Sequence, residues 1–366
     1  MRPSSPTGSG RHRIVRWAAV MAVLAVLAVD GPPAARQAQA AVGSRPLYWG
    51  AYVGGAQYGR DDAPWDMSSV DVLASHTGKQ PSMLEWGLAW YDTNSGQPGL
   101  QPFPATLMDA ARRRGYIPVL SWGSYAARGP TEQPDFSLRA IIDGTYDGFI
   151  RQWATDAAAW GHPFILRFDW EMNTNGAPYS ETANGNRPGE FATMWQHVHD
   201  IFTQVGATNA SWFWSPNVDY QGSIPVQGLY PGPSYVDWVG LDGYNWGTNP
   251  NRPGSHWQSV DDVFRSSYLQ LGALAPGKPV MIGETASTEY GGSKAAWIQD
   301  LLMRMASDDY ASVGGVVWFN KNADGMDWIV ESSAGAQAVT RGMLSLPFYL
   351  SNQFASLDSS PVPPPR

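Results

Sequence analysis

The chain has 366 residues, no cysteine and a formal net charge of −8 at pH 7. That length can bury a sizeable core unaided, and without cysteine neither disulfides nor thiolate metal sites are open to it. The acidic balance argues against nucleic acid or anionic lipid as a partner.

Residues 1–40 read as a secretory signal peptide: Arg11, Arg13 and Arg16 precede the apolar stretch from Trp17 to Val29, and Ala38-Gln39-Ala40 offers a small-x-small cleavage site. The apolar stretch is too short for a comfortable membrane span, so the mature chain is expected to be extracellular and free of the membrane. The leader holds five Arg and one Asp, leaving 19 basic and 31 acidic residues and a net charge of −12. The 18 Trp and 16 Tyr exceed what a core needs, which points to a groove that offers flat apolar faces to sugar rings.

Eight strand-like runs follow: Leu47 to Val53, Met83 to Trp90, Ile117 to Ser121, Phe164 to Trp170, Ala210 to Ser215, Val236 to Tyr244, Pro279 to Gly283 and Val313 to Phe319. Helical patterns lie between most of them, around Met67–Ser75, Ala105–Arg114, Tyr146–Trp160, Gly189–Val205, Val260–Leu274 and Lys294–Ala306, with another after the last run at Ala336–Leu346. Strands alternating with helices give a parallel sheet, and eight of them predict a single-domain α/β protein, a (β/α)8 TIM barrel over residues 41–350. The Pro-rich segment 351–366 is expected to be a disordered tail. Long Gly-, Asn-, Pro- and Trp-rich segments at 172–188, 217–235 and 245–259 fall on the rim where the strands end, which makes that rim the expected binding face.

Glu171 and Glu284 each follow an apolar run. A carboxylate there is expected at the open end of a strand, since a mid-strand position would desolvate it. Two carboxylates across a barrel mouth are the equipment for glycoside hydrolysis, one as proton donor and one as nucleophile. Alternation places Arg167, Asp169 and Glu171 on one face and Phe168 and Trp170 on the other. Arg167 then either contacts substrate or forms a buried pair with Asp169. Tyr244, at the end of the sixth run, is placed to donate to Glu284. Trp318, ending the eighth run, is a candidate floor for a sugar, and Trp122, Trp214 and Trp246, with Trp86, Trp90 and Trp257, are candidates for further subsites or for packing. His197 and His199, at i,i+2 on a helical pattern, do not present two ligands on one face, so neither metal nor cofactor is expected.

The run Leu166-Arg-Phe-Asp-Trp-Glu-Met-Asn173 resembles the acid/base motif of glycoside hydrolase family 26, in which Arg precedes the catalytic Glu by four positions and Met-Asn follows it. Val239-Gly-Leu-Asp-Gly-Tyr244 and Pro279-Val-Met-Ile-Gly-Glu-Thr285 are similar to that family's strand-six Tyr and strand-seven nucleophile. The resemblance covers about Leu47 to Tyr349. It implies a retaining endo-β-glycanase with Glu171 as acid/base, Glu284 as nucleophile, and Trp170 and Asn173 beside the sugar. The implied partner is a polysaccharide, β-1,4-mannan first and β-1,3/1,4-glucan or xylan next, met by a monomer. The departure is Trp170, where the family's mannanases usually carry His. A carbohydrate-binding barrel without activity is the alternative class, against which stands the retention of both glutamates.

Overall fold

The computed structural model describes residues 45–93, 98–350, 352 and 354–365, so the expected leader lies outside the described residues. Nine strands follow in chain order: β1 (Tyr48–Val53), β2 (Met83–Asp92), β3 (Gly99–Leu100), β4 (Ile117–Ala126), β5 (Phe164–Phe168), β6 (Ala210–Trp214), β7 (Trp238–Asn245), β8 (Val280–Ser287) and β9 (Val313–Asn320). β1 pairs in parallel with both β2 and β9, which closes the sheet into a barrel of eight parallel strands. β3 is a short antiparallel addition to β2. The architecture is the expected (β/α)8 TIM barrel.

The outer layer contains α1 (Ser68–Thr77), α2 (Ala105–Arg113), α3 (Leu138–Ile142), α4 (Asp147–Trp160), α5 (Glu190–Gln204), α6 (Val260–Leu274), α7 (Lys294–Met305) and α8 (Ala334–Leu344). Local chemistry sets several boundaries. Ser259 and Asp262 form a reciprocal capping box at the start of α6, and Gly161, at φ 74°, ends α4 in the left-handed conformation that glycine adopts most readily. α3 has five residues, too few to show a helical period.

Two apolar layers result. Outward-facing strand side chains meet the helices in an aromatic seam, where Trp122 stacks on Trp153 at 4.4 Å and packs 5.0 Å from Trp90. A second cluster fills the barrel floor, where the strands begin, with Tyr48, Met83, Ile117, Trp238 and Val362.

Val362 corrects the expectation of a disordered tail. Its carbonyl accepts from Trp238 Nε1 (2.8 Å), its N–H donates to Ser211 Oγ (2.7 Å), and Tyr48 donates to the Pro363 carbonyl (3.0 Å). Phe354 packs edge-on against Tyr48 at 5.1 Å. Proline-rich composition disfavours helix and strand, yet it leaves an extended segment free to lie across an apolar surface when polar partners take its backbone groups. Deleting the residues after Leu350 removes Val362, fully buried and worth about 2 kcal/mol, and the half-buried Phe354 and Leu357, worth about 1 kcal/mol each. A melting temperature lower by about 5–8 °C is expected by calorimetry, with turnover at 25 °C unchanged. A deletion that melts with the full chain would show the floor to be stable without this segment.

Candidate active site

Glu171 sits just beyond β5. The strand stops at Phe168, and Asp169 and Glu171 take positive φ values of 41° and 52°, a conformation uncommon for these residues. The turn is held by hydrogen bonds from the Glu171 N–H to the Ser215 carbonyl (2.7 Å) and from the Asp169 N–H to the Trp122 carbonyl (3.1 Å). One Glu171 oxygen accepts from Asn217 Nδ2 at 2.8 Å. Burial, reinforced by the nearby Glu284 carboxylate, pushes the Glu171 carboxyl up to about 7.

Glu284 does not lie past a strand end. β8 continues to Ser287, and the register shifts between Ile282 and Thr285, a bulge that places Glu284 in the mouth. Both oxygens accept hydrogen bonds, Oε1 from Arg167 Nη1 (2.7 Å) and Oε2 from the Tyr244 hydroxyl (2.5 Å). Burial and the same carboxylate hold the Tyr244 phenol well above its usual range, so it stays a donor. A mid-strand carboxylate is tolerated here because a buried cation faces it.

That cation is Arg167, wholly buried. It does not contact the cleft as a substrate-binding residue would, and its partner is not Asp169. Nη1 donates to Glu85 Oε1 (2.7 Å) as well as to Glu284, and Nη2 pairs with Asp242. Asp242 also accepts from Ser215 Oγ (2.8 Å), in a space that only glycine leaves open, since a Cβ at Gly283 would stand 2.6 Å from Asp242 Oδ1. Asp169 instead accepts from the Ser124 N–H and hydroxyl, both at 2.7 Å, and burial pushes its carboxyl up to about 8.

The cleft across the mouth has three lobes. The largest, about 470 Å3, holds both glutamates with Asn217, Tyr244, Trp246, Phe319 and Trp328. A second, about 320 Å3, joins it at Glu171 and is walled by Tyr125, Trp170 and Tyr179. The third, about 400 Å3, joins at Glu284 and holds Tyr52, Glu85, Trp170 and Phe319. Tyr52 and Phe319 stack there at 4.9 Å, and Arg252 lies 4.1 Å over the Trp246 ring in the first lobe.

Of the expected residues, Glu171, Glu284, Tyr244, Trp246 and Trp170 line this cleft. Trp318 does not: it is buried against α7, 6.3 Å from Trp297, and its Nε1 donates to the Trp328 carbonyl (2.9 Å), so it carries Trp328 rather than a sugar. Trp122 and Trp90 lie in the aromatic seam, Trp86 is buried in the core, Trp214 is buried beside Tyr230, and Trp257 packs against Gly292. Asn173 is buried too, bonding both the carbonyl and N–H of Asn217, and so positions the residue that touches Glu171. Trp328, Asn217, Phe319, Tyr52 and Glu85 were missed. Asn217, a polar residue just past a strand end beside Glu171, carried a readable signal, whereas Trp328 stands in a loop eight residues beyond β9.

Among the described residues no group of three or more His, Asp or Glu could hold a metal ion. Fold and site together set one carboxyl at about 7 and one carboxylate capped by two donors in the mouth of a barrel. The model of glycosyl hydrolase family 26 matches residues 141–290. Endoglucanase H of Acetivibrio thermocellus is 36% identical over 238 residues, 64% of this chain and 25% of that protein, so the chain spans about a quarter of that relative's length. Among solved structures, Bacillus subtilis mannanase BCman shares the fold at TM-score 0.55 and 19% identity, covering 86% of each chain. The family 26 domain of a Prevotella bryantii endo-β-mannanase/endo-β-glucanase does so at 0.58 and 15%, covering 90% of this chain and 98% of that one. Residues 141–290, which carry both Glu171 and Glu284, are therefore the part of the chain that is similar to glycosyl hydrolase family 26.

Proposed function

We propose that the chain is an exported, retaining endo-β-glycanase acting on β-glucan, with Glu171 as acid/base and Glu284 as nucleophile. The observation that carries this is the difference between two carboxyls in one cleft: Glu171 is pushed up to about 7, while both Glu284 oxygens are hydrogen-bonded by Arg167 and Tyr244. Glu171 protonates the glycosidic oxygen as a Glu284 oxygen attacks the anomeric carbon. The bond to the leaving sugar breaks and a glycosyl ester forms. Water then attacks that carbon, Glu171 takes its proton, and Glu284 is released with the β configuration retained. A carboxyl separation of about 5–5.5 Å is expected for this route. The cleft runs past both glutamates through joined lobes, which suits attack within a chain. Export rests on the Arg-then-apolar pattern of residues 11–29.

β-Glucan is preferred over mannan, the first expectation from the sequence, on two grounds. The relative named an endoglucanase is 36% identical, and Trp170 presents a broad apolar face to the cleft where the family's mannanases usually carry His. A panel of lichenan, laminarin, curdlan, mannan, galactomannan and xylan, scored for reducing ends, tests this. Activity confined to the mannans would overturn the substrate, and silence on every polymer the enzymatic reading itself. Trp170→His is expected to shift the mannan-to-glucan ratio about tenfold while retaining turnover. An unchanged ratio would assign the choice to other side chains.

The pH dependence has a defined sign. Glu171 must be protonated to act as acid, so kcat/KM is expected to fall as pH rises through about 7. A flat profile from pH 6 to 9 would remove Glu171 from that role.

A further inference from the structure

Beneath the nucleophile, one guanidinium serves more carboxylates than it can neutralise. Arg167 Nη1 has two hydrogens, and the carboxylates it meets are Glu85 Oε1 and Glu284 Oε1, both at 2.7 Å. Ser121 Oγ, 3.0 Å from Nη1, gives its own hydrogen to Glu85 Oε1 at 2.8 Å. Nη2 is taken by Asp242. Three carboxylates therefore divide one positive charge in a buried site, and Glu171 lies on its rim. Glu85 is 1% exposed, its Oε2 has no hydrogen-bond partner among the described residues, and it lines the cleft lobe that also holds Glu284.

Resting on the glycosidase reading, we propose that Glu85 is a positioning residue for the reaction: it and Glu284 compete for the same Arg167 nitrogen, so the charge on Glu85 sets how firmly Arg167 holds the nucleophile. The surrounding groups are few. Arg167 faces Glu85 from β5, Ser121 from β4, Glu284 from β8 and Asp242 from β7; Tyr52 is its register partner on β1, with Asp62 and Lys321 behind Tyr52. Arg167 and Lys321 are the cations of this set, and Lys321 is paired to Asp62 at 2.7 Å. Burial pushes the Glu85 carboxyl up to about 7, opposed by Arg167 and reinforced by Glu284, so its charge changes within the working pH range. With Glu85 neutral, Arg167 is left to Glu284 and Asp242. With Glu85 ionised, Glu284 is held less and is more nucleophilic.

Coupling of this kind is reciprocal, which gives a readout independent of activity. In protein labelled with 13C at glutamate Cδ, the resonance lost in Glu85→Gln identifies Glu85. Its midpoint is expected near 7 and should fall by about one unit in Glu284→Gln, which removes a like charge and a competitor for Arg167. In parallel, Glu85→Gln should move the acid limb of kcat/KM to lower pH and reduce kcat several-fold, whereas Glu85→Asp, which keeps the carboxylate, should stay nearer to wild type in both. A merely structural Glu85 would lower the melting temperature without moving the limb. A Glu85 midpoint indifferent to Glu284→Gln overturns the inference even if hydrolysis is normal. Failure of the wild type on every polysaccharide sinks the functional reading and leaves the NMR coupling measurable.

Discussion

Glu284→Ala and Glu171→Ala are each expected to lower turnover by about 10^4-fold or more on polysaccharide while leaving the fold intact. Rim residues contribute little to the core, so circular dichroism should be unchanged. The two variants should part company with azide. In Glu171→Ala the nucleophile still forms the glycosyl ester from an aryl glycoside with a good leaving group, and azide entering without a general base yields the β-azide. In Glu284→Ala azide enters directly opposite the leaving group and yields the α-azide. Matching anomers from both variants would show that the roles are not divided as proposed, and wild-type turnover in either would remove that residue from the chemistry.

Arg167→Met should be the most damaging change to stability. It keeps much of the side-chain volume but strips the cation from Glu85, Asp242 and Glu284. Breaking a buried ion pair from one side costs about 3–5 kcal/mol, and here three anions lose their partner at once. The sign with pH follows from the carboxyls. Glu85 is already at about 7 and Asp242 is raised with the cation present, and without it burial raises both further above their unfolded values near 4. Groups raised in this way give stability that is present below the unfolded value and lost as pH rises through the folded one. The melting temperature of Arg167→Met should therefore fall further behind wild type at pH 8 than at pH 5. An equal deficit at both pH values would mean that packing, not charge, is what Arg167 supplies.

The barrel was legible because its two periods are clean. Runs such as Val313–Phe319 carry no polar side chain, and α6 begins and ends where its pattern and capping box place it. The two glutamates were legible for the same reason, as charges interrupting apolar runs. Arg167's partners were not, because alternation was carried through Glu171 while the strand ends three residues earlier, at a turn with no glycine to mark it. The tryptophans failed differently. In β2, β4 and β9 the cleft-facing positions are Glu85, Ser121 and Phe319, so Trp86, Trp122 and Trp318, one residue away, point at the helices. Parity, more than proximity to a strand end, decides which aromatic can meet a sugar, and it could have been applied wherever a polar residue fixes the inward face.

The segment that seals the barrel floor also orders events in time. Tyr48 opens the first strand, and the carbonyl its hydroxyl donates to lies 315 residues downstream. On a ribosome delivering the chain from its N-terminus, every barrel strand is available before that segment emerges, so the undersides of Tyr48, Phe213 and Trp238 stay wet until Val362 has been made. That contact closes a loop of 315 residues, and the entropy of closing it has been prepaid by the barrel, which already holds the strands between its ends in place. A nascent chain stalled short of Val362 should accordingly present an assembled cleft on an unsealed base. Pulse proteolysis would find it as a species that binds sugar yet is cut from below.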